Sequence, residues 1–329
     1  MKKVLITGGA GFIGYHLACN LAQKGYLVDI ADNFARGVKD SFLIELSNHD
    51  NVNLLDLDLL SKTSLETLDT DYVFIYHLAA VIGVQFVLKA PYEVLTKNME
   101  LLSNVIEFGR TQMHLKKLVF TSTSEIYAGT LRYFNLPVPT PESTPLAVTD
   151  LSENRTSYML SKIYGEAMCL HSGLPVTIIR PHNFYGPRMG LSHVVPELFK
   201  KAFFGKENKL TVFSPDHRRT FCYIDDAVEI MRILAESETS TGEAYNAGND
   251  SPEITIISLA ENILEIAGAD LVVKAGSVTE GSPRRRCPDM SKTIKATGYT
   301  PAVSLDEGLR RTFNWYKTNV FLNPGKSAI

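Results

Sequence analysis

Lys3-Val4-Leu5-Ile6-Thr7-Gly8-Gly9-Ala10-Gly11-Phe12-Ile13-Gly14 decides the fold. Lys3–Thr7 is a short apolar run rich in β-branched residues, and Phe12–Lys24 carries a helical pattern behind it. Glycines 8, 11 and 14 sit at the junction. In a strand-to-helix turn one glycine allows the tight bend, one lets the backbone approach a pyrophosphate, and one lets the helix pack on the strand. The free N–H groups and positive end of the helix then face the phosphates. Tyr26–Ala31 reads as a second strand ending at Asp32, 18 residues past Gly14. A carboxylate there accepts hydrogen bonds from an adenosine 2′-hydroxyl and repels a 2′-phosphate, which selects NAD over NADP. Arg36 nearby argues mildly the other way. The spacing is GxxGxxG rather than GxGxxG, so the turn draws its weight from the strand, the helix and Asp32 around it.

Outward from this turn, Val52–Leu57, Tyr72–Leu78, Lys117–Thr121 and Val176–Arg180 are further buried-strand candidates. Helical patterns lie between them, notably Tyr92–Arg110 and Thr156–His171. Strands alternating with helices predict an α/β fold of the Rossmann type, a doubly wound parallel sheet covered on both faces. After about Pro181 the regularity falls, with helices near Val194–Phe204, Asp225–Ala235 and Ile256–Ala267. We therefore expect a dinucleotide-binding domain over residues 1–180. A smaller, discontinuous C-terminal substrate domain is expected mainly from residues 181–329, with some segments returning to the first. Pro137, Pro139, Pro141 and Pro145 crowd one segment and mark a loop.

Composition narrows the function classes. The 329 residues carry 33 basic and 36 acidic side chains, a net charge of −3, and 45% are hydrophobic. That balance supplies a full core but no basic footprint for nucleic acid and no polybasic membrane patch. Cys19, Cys169, Cys222 and Cys287 are far apart, with no CxxC, so neither a zinc cage nor a disulfide scaffold is expected. No apolar run reaches membrane-spanning length, and glycines interrupt the apolar start too early for a secretion signal. The expected location is the cytoplasm.

Tyr158-Met159-Leu160-Ser161-Lys162 puts a phenol and an ammonium on one helix face, one turn apart. A nearby cation favours the phenolate and is expected to lower the tyrosine pKa from about 10. Tyr158 is thus a candidate general base at a sugar hydroxyl. Thr121-Ser122-Thr123-Ser124-Glu125 follows a predicted strand, offering hydroxyls for the same substrate oxygen and a second acid/base group, Glu125. His77 ends a strand in an apolar context and reads as a packed core or groove residue. Arg219 offers phosphate a bidentate fork, with Arg218 its competitor, and Asn183 sits in a Pro/Gly loop after a strand.

These motifs occur in order: TGGAGFIG, His77–Ala80, Thr123-Ser124-Glu125, YxxxK and the Arg180–Arg188 segment RPHNFYGPR. Across essentially the whole chain the sequence resembles the extended short-chain dehydrogenase/reductases of the nucleotide-sugar epimerase/dehydratase family. The resemblance implies NAD that is reduced and reoxidised in each cycle, acting on a nucleotide-diphosphate sugar. It implies that Gly8, Gly11, Phe12, Ile13 and Gly14 hold the pyrophosphate and that Asp32, Asn33, Asp56 and Leu57 surround the adenosine. Leu78, Ala79 and Ala80 would line the groove, and Lys162 would hold the nicotinamide ribose. Thr123 and Tyr158 would meet the sugar C4 hydroxyl, with Ser124, Asn183, Arg219 and Arg286 on the substrate and no metal. The helices Tyr92–Arg110 and Thr156–His171 resemble those through which the family forms dimers, so a homodimer is expected.

In the chemistry that the resemblance implies, a C4 ketone opens three outcomes: 4-epimerisation, 4,6-dehydration, and decarboxylation of a uronic acid. Glu125 discriminates, because simple epimerisation needs no extra carboxylate. The Thr-Ser-Glu triplet resembles dehydratases and decarboxylases, and Arg286-Cys287-Pro288-Asp289 resembles the decarboxylases' Arg-Lys-Pro-Asp. Decarboxylation or dehydration assisted by Glu125 is the main expectation, and 4-epimerisation the alternative. An NADPH-dependent keto-sugar reductase is a weaker one, opposed by Asp32, and a non-catalytic NAD sensor is opposed by the intact Thr123, Tyr158 and Lys162. Val81–Gln85 lacks the Pro-Ala-Ser-Pro of the decarboxylases, and the long stretch Ala128–Thr140 implies a distinctive lid over the sugar.

Overall fold

Alternation along one strand shows how the chain layers itself. Strand β1 (Lys3–Thr7) sends Val4 and Ile6 into one core cluster and Leu5 into another on the opposite face of the sheet. A central parallel strand is covered twice, which is why its sequence is apolar throughout. The computed structural model describes residues 1–134, 137–205, 208–279, 282–325 and 327.

The other sheet strands are β2 (Leu27–Asp32), β3 (Val52–Asp56), β4 (Tyr72–His77), β5 (Lys117–Thr121), β6 (Val176–Pro181) and β7 (Glu243–Ala247). They run parallel in the order β7-β6-β5-β4-β1-β2-β3, a Rossmann-type sheet extended by one strand. Helix α1 (Phe12–Gln23) buries Gly14, Leu17, Ala18 and Leu21, the i, i+3, i+4, i+7 stripe of an amphipathic helix. On the other face α2 (Pro91–Arg110) packs against α3 (Thr156–Leu170). Strand and helix bounds match the sequence expectation to within a residue or so.

Beyond β6 the chain forms α4 (Val194–Phe204), α5 (Ile224–Glu236), α6 (Ile256–Ala267) and α7 (Leu305–Tyr316). Helix α5 returns to pack on α1, and β7 adds to the edge of the main sheet beside β6. One three-stranded sheet joins Arg218–Arg219 with Ile254–Thr255 and Arg285–Arg286. Phe313 and Tyr316 of α7 are buried, as core spacing predicts. In the segment expected as a lid, Ala128–Tyr133 is a short helix. Thr130 ties it down by donating to the Pro145 carbonyl at 2.6 Å and accepting from the Ala147 N–H at 2.7 Å. Thr140 pairs with Pro288, and residues 135 and 136 of the stretch lie outside the described residues.

Candidate active site

The glycine turn closes β1 onto α1. Gly8 has φ +70°, and a Cβ built on it would lie 2.6 Å from the Ala79 nitrogen. No side chain fits that approach. A Cβ on Gly14 would lie 2.5 Å from the Gly9 Cα, so the helix packs on the turn without one. Gly11 caps α1 with no side-chain hydrogen bond, and the first turn carries no acidic residue. The first N–H groups of α1 are thus left for an anionic ligand. Phe12 and Ile13 open that helix, half-buried.

Asp32 and Asp56 end neighbouring strands in register. The Asp32 carboxylate accepts from the Ala10 N–H (3.0 Å) and the Phe34 N–H (2.9 Å), which lock the loop behind it. Burial raises its pKa, the two N–H bonds oppose that, and Asp56 adds a smaller upward push. Asn33 is exposed beside it, and the Leu57 N–H bonds the Asp32 carbonyl at 3.0 Å. Leu78, Ala79 and Ala80 follow β4 and are half-buried along the groove by Gly8. His77 is a core residue: buried, 2.8 Å from the Thr7 hydroxyl, stacked on Phe120, and pushed down to about 3 by burial and by Lys162.

Thr123 follows β5 and caps the turn Ser124–Tyr127, accepting from the Glu125 N–H at 3.2 Å. Its hydroxyl faces the Tyr158 phenol and pulls the phenol's pKa down. Ser124 is buried in the same turn. Lys162, one turn along α3, donates to the Thr121 carbonyl at 2.8 Å, its ammonium 6.0 Å from the Tyr158 ring centroid. Burial pushes Lys162 down to about 8. The expected lowering of Tyr158 by this lysine is not found. Desolvation pushes the phenol up, Glu125 adds to the rise, and Arg36 and the Thr123 hydroxyl pull it down. Arg36, read from sequence only as a sign of the cofactor type, interacts with Tyr158 by charge and favours its phenolate.

Glu125 makes an ion pair with Arg286, 2.8 Å between Oε1 and Nη2. The carboxylate is about half exposed at 45%, the guanidinium 15%, and the Arg286 Nε is buried without a partner. Arg219 departs from the expected open fork. Its terminal nitrogens bond the Arg218, Arg284 and Pro283 carbonyls and the Ser282 hydroxyl, and it is buried. Burial and the neighbouring Arg286 push it down to about 10. Arg218 pairs with Glu253 at the surface. Asn183, at φ +43°, donates to the Thr220 carbonyl at 2.9 Å. His182 is buried against Asn246 at 3.1 Å rather than open to a ligand.

A network that sequence reading missed sits behind the site. Glu166, four residues after Lys162, pairs with Arg180 at 2.7 Å and accepts from the Ser122 hydroxyl at 2.6 Å. It fixes the end of β5 against α3. The only prior signal was Arg180 at the head of the RPHNFYGPR segment.

The sequence profile of the NAD dependent epimerase/dehydratase family matches residues 4–248. The chain belongs to that family. It is an NAD-dependent enzyme, and the cradle at Gly8, the uncapped start of α1 and the carboxylate at Asp32 fit that cofactor. Among relatives, it is 32% identical to the UDP-N-acetyl-alpha-D-glucosaminuronate decarboxylase of Bacillus cytotoxicus, covering 96% of this chain and 98% of that protein. It is also 32% identical to UDP-glucuronic acid decarboxylase 6 of Arabidopsis thaliana, covering 93% and 86%. The solved UDP-glucuronic acid 4-epimerase of Bacillus cereus, in complex with UDP-glucuronic acid and NAD, superposes with a TM-score of 0.83 at 26% identity, covering 96% and 99%. Among the described residues no helix of this family member is long and apolar enough to cross a membrane, and no group of three or more His, Cys, Asp or Glu is placed to hold a metal.

Proposed function

We propose that the enzyme decarboxylates a UDP-linked uronic acid through a 4-keto intermediate, with no net oxidation by the cofactor. The observation that carries this reading is the Glu125–Arg286 pair beside Tyr158. A spare acid/base group and a cation with an unsatisfied buried N–H suit a substrate carboxylate. The relatives named as uronate decarboxylases support it.

Gly8, Gly11, Phe12, Ile13 and Gly14 would hold the pyrophosphate; Asp32, Asn33, Asp56 and Leu57 the adenosine; Leu78, Ala79 and Ala80 the groove; and Lys162 the nicotinamide ribose. When bound, NAD supplies the acceptor for the C4 hydrogen and a positive charge that favours the Tyr158 phenolate. Tyr158 takes the proton of the C4 hydroxyl, and Thr123 fixes both oxygens. The C6 carboxylate of the resulting ketone is a β-keto acid, held by the Arg286 Nε. The C5–C6 bond breaks, CO2 leaves, and the electron pair passes to the C4 oxygen as an enolate. A proton taken from solvent passes through the half-exposed Glu125 to C5, and Tyr158 returns its own to O4 as C4 is reduced. Asn183, Arg219 and Ser124 serve the nucleotide sugar, with Arg219 exchanging carbonyl partners for phosphate oxygens.

Epimerisation at C4 of the same uronate is the second reading, favoured by the likeness to the Bacillus cereus epimerase. Mass spectrometry of the products from UDP-uronates, without added reductant, tests both. Loss of CO2 supports decarboxylation, and unchanged mass with a new chromatographic peak supports epimerisation. Loss of water would instead establish dehydration.

The division into a cofactor part over residues 1–180 and a substrate part mainly over 181–329 belongs to the same proposal. So does a homodimer through α2 and α3, supported by the exposed Tyr92 and Tyr164 on those helices and tested by light scattering. A cytoplasmic location fits the four unpaired cysteines, and cell fractionation checks it.

A further inference from the structure

Between β2 and the helix Ser41–Ser47 runs the loop that packs on Asp32, and it ends at Asp40. Asp40 caps that helix, accepting from the Leu43 N–H at 3.0 Å. Its two oxygens also take a bidentate grip from Arg188, both bonds 3.0 Å, and accept from the Ser327 hydroxyl at 3.0 Å. The side chains are 1% and 2% exposed. Arg188 further donates to the Val38 carbonyl at 3.3 Å and lies 4.1 Å from the Tyr15 ring centroid. His16, next to Tyr15 near the start of α1, sits 2.9 Å from the Pro187 carbonyl. Both elements that flank the cofactor cradle therefore grip the same short turn, Pro187-Arg188.

That turn is costly to hold. Arg188 has φ +62° and Asn183, five residues earlier, φ +43°, both left-handed without being glycine. Such backbone persists only where its surroundings over-determine it. Asn183, the residue assigned to the substrate, is held by the Thr220 carbonyl and the Cys222 N–H, and it opens the short stretch of chain that Arg188 closes.

We propose that the Asp40–Arg188 pair couples cofactor binding to nucleotide-sugar binding, each strengthening the other. The inference rests on the nucleotide-sugar reading above. Ordering the loop around the adenosine places Asp40; Asp40 places Arg188; Arg188 anchors the far end of the short strand Phe184–Tyr185, whose near end is Asn183. A ligand that finds the turn already ordered is spared that ordering cost, and the gain is reciprocal.

The test is the rate at which bound NAD leaves the holoenzyme, with and without saturating UDP. UDP should slow release about tenfold in the natural protein. In Asp40→Asn/Arg188→Met, which removes both buried charges so that neither is left alone, the slowing should fall below about twofold. Arg188→Lys keeps the charge but not the fork, and should give an intermediate ratio even if the double variant does not fold. A full tenfold slowing in either variant overturns the coupling. So does natural protein that binds UDP, by equilibrium dialysis, yet releases NAD at an unchanged rate. Failure to bind UDP at all overturns the substrate reading and the coupling with it.

Discussion

The proposed cofactor side and the proposed substrate side of the site are built from different materials. Around Gly8, Gly11 and Gly14 the surface is backbone, held by the sheet and by close approaches that exclude a Cβ at Gly8 and Gly14. Around Arg219, Arg286 and Asn183 it is side chains that bond one another and nearby carbonyls. Backbone recognition is set once the chain folds. Side-chain recognition must exchange partners when the substrate arrives, which makes it adjustable within one fold.

Tyr158→Phe, at the meeting point of the two sides, should have the largest effect. CO2 release should fall about a thousandfold, with melting temperature nearly unchanged because the substitution removes a single hydroxyl and leaves the ring in place. Retained turnover would remove the phenol from the chemistry. Glu125→Gln should slow steady-state turnover about a hundredfold while the early absorbance of reduced cofactor still forms. Normal turnover there would shift the substrate side to the epimerase reading. Gly8→Ala attacks the cofactor side directly. A Cβ 2.6 Å from the Ala79 nitrogen in a left-handed residue should weaken NAD binding about tenfold, read by fluorescence titration. Arg219→Lys should raise KM about fivefold with kcat little changed, since a point charge replaces a fork. An equal loss in kcat would mean that Arg219 acts in the reaction step.

The last expectation concerns pH. Burial holds Lys162 at about 8, below its ordinary 10.5, so it is charged below that pH and neutral above. Activity that depends on this charge should decline as pH rises through about 8, and Lys162→Arg should remove that limb from the kcat/KM profile. A limb unchanged in Lys162→Arg would assign it to another group.

The same contrast explains what could be read from sequence. The turn, the strands and Asp32 were readable because glycine spacing and apolar periodicity act locally. Tyr158, Lys162 and Thr123 were brought together by a pattern that fixes helix face and strand end. The charge interaction of Arg36 with Tyr158 was not readable, because the two are 122 residues apart and meet only in the folded chain. Nor was the inward engagement of Arg219, since nothing near it in sequence marks Ser282–Arg284 as its acceptors. Arg188 and Asp40 are 148 residues apart and meet only in the folded chain.

Strand β7 has a consequence for how the chain is made. It completes the edge of the main sheet beside β6, yet some sixty residues separate the two. While the chain emerges from the ribosome, β6 has an open ladder of amide and carbonyl groups on one side until Ala247 is available. A nascent chain paused in that interval presents an unpaired apolar edge, the kind of surface that recruits chaperones or sticks to another copy.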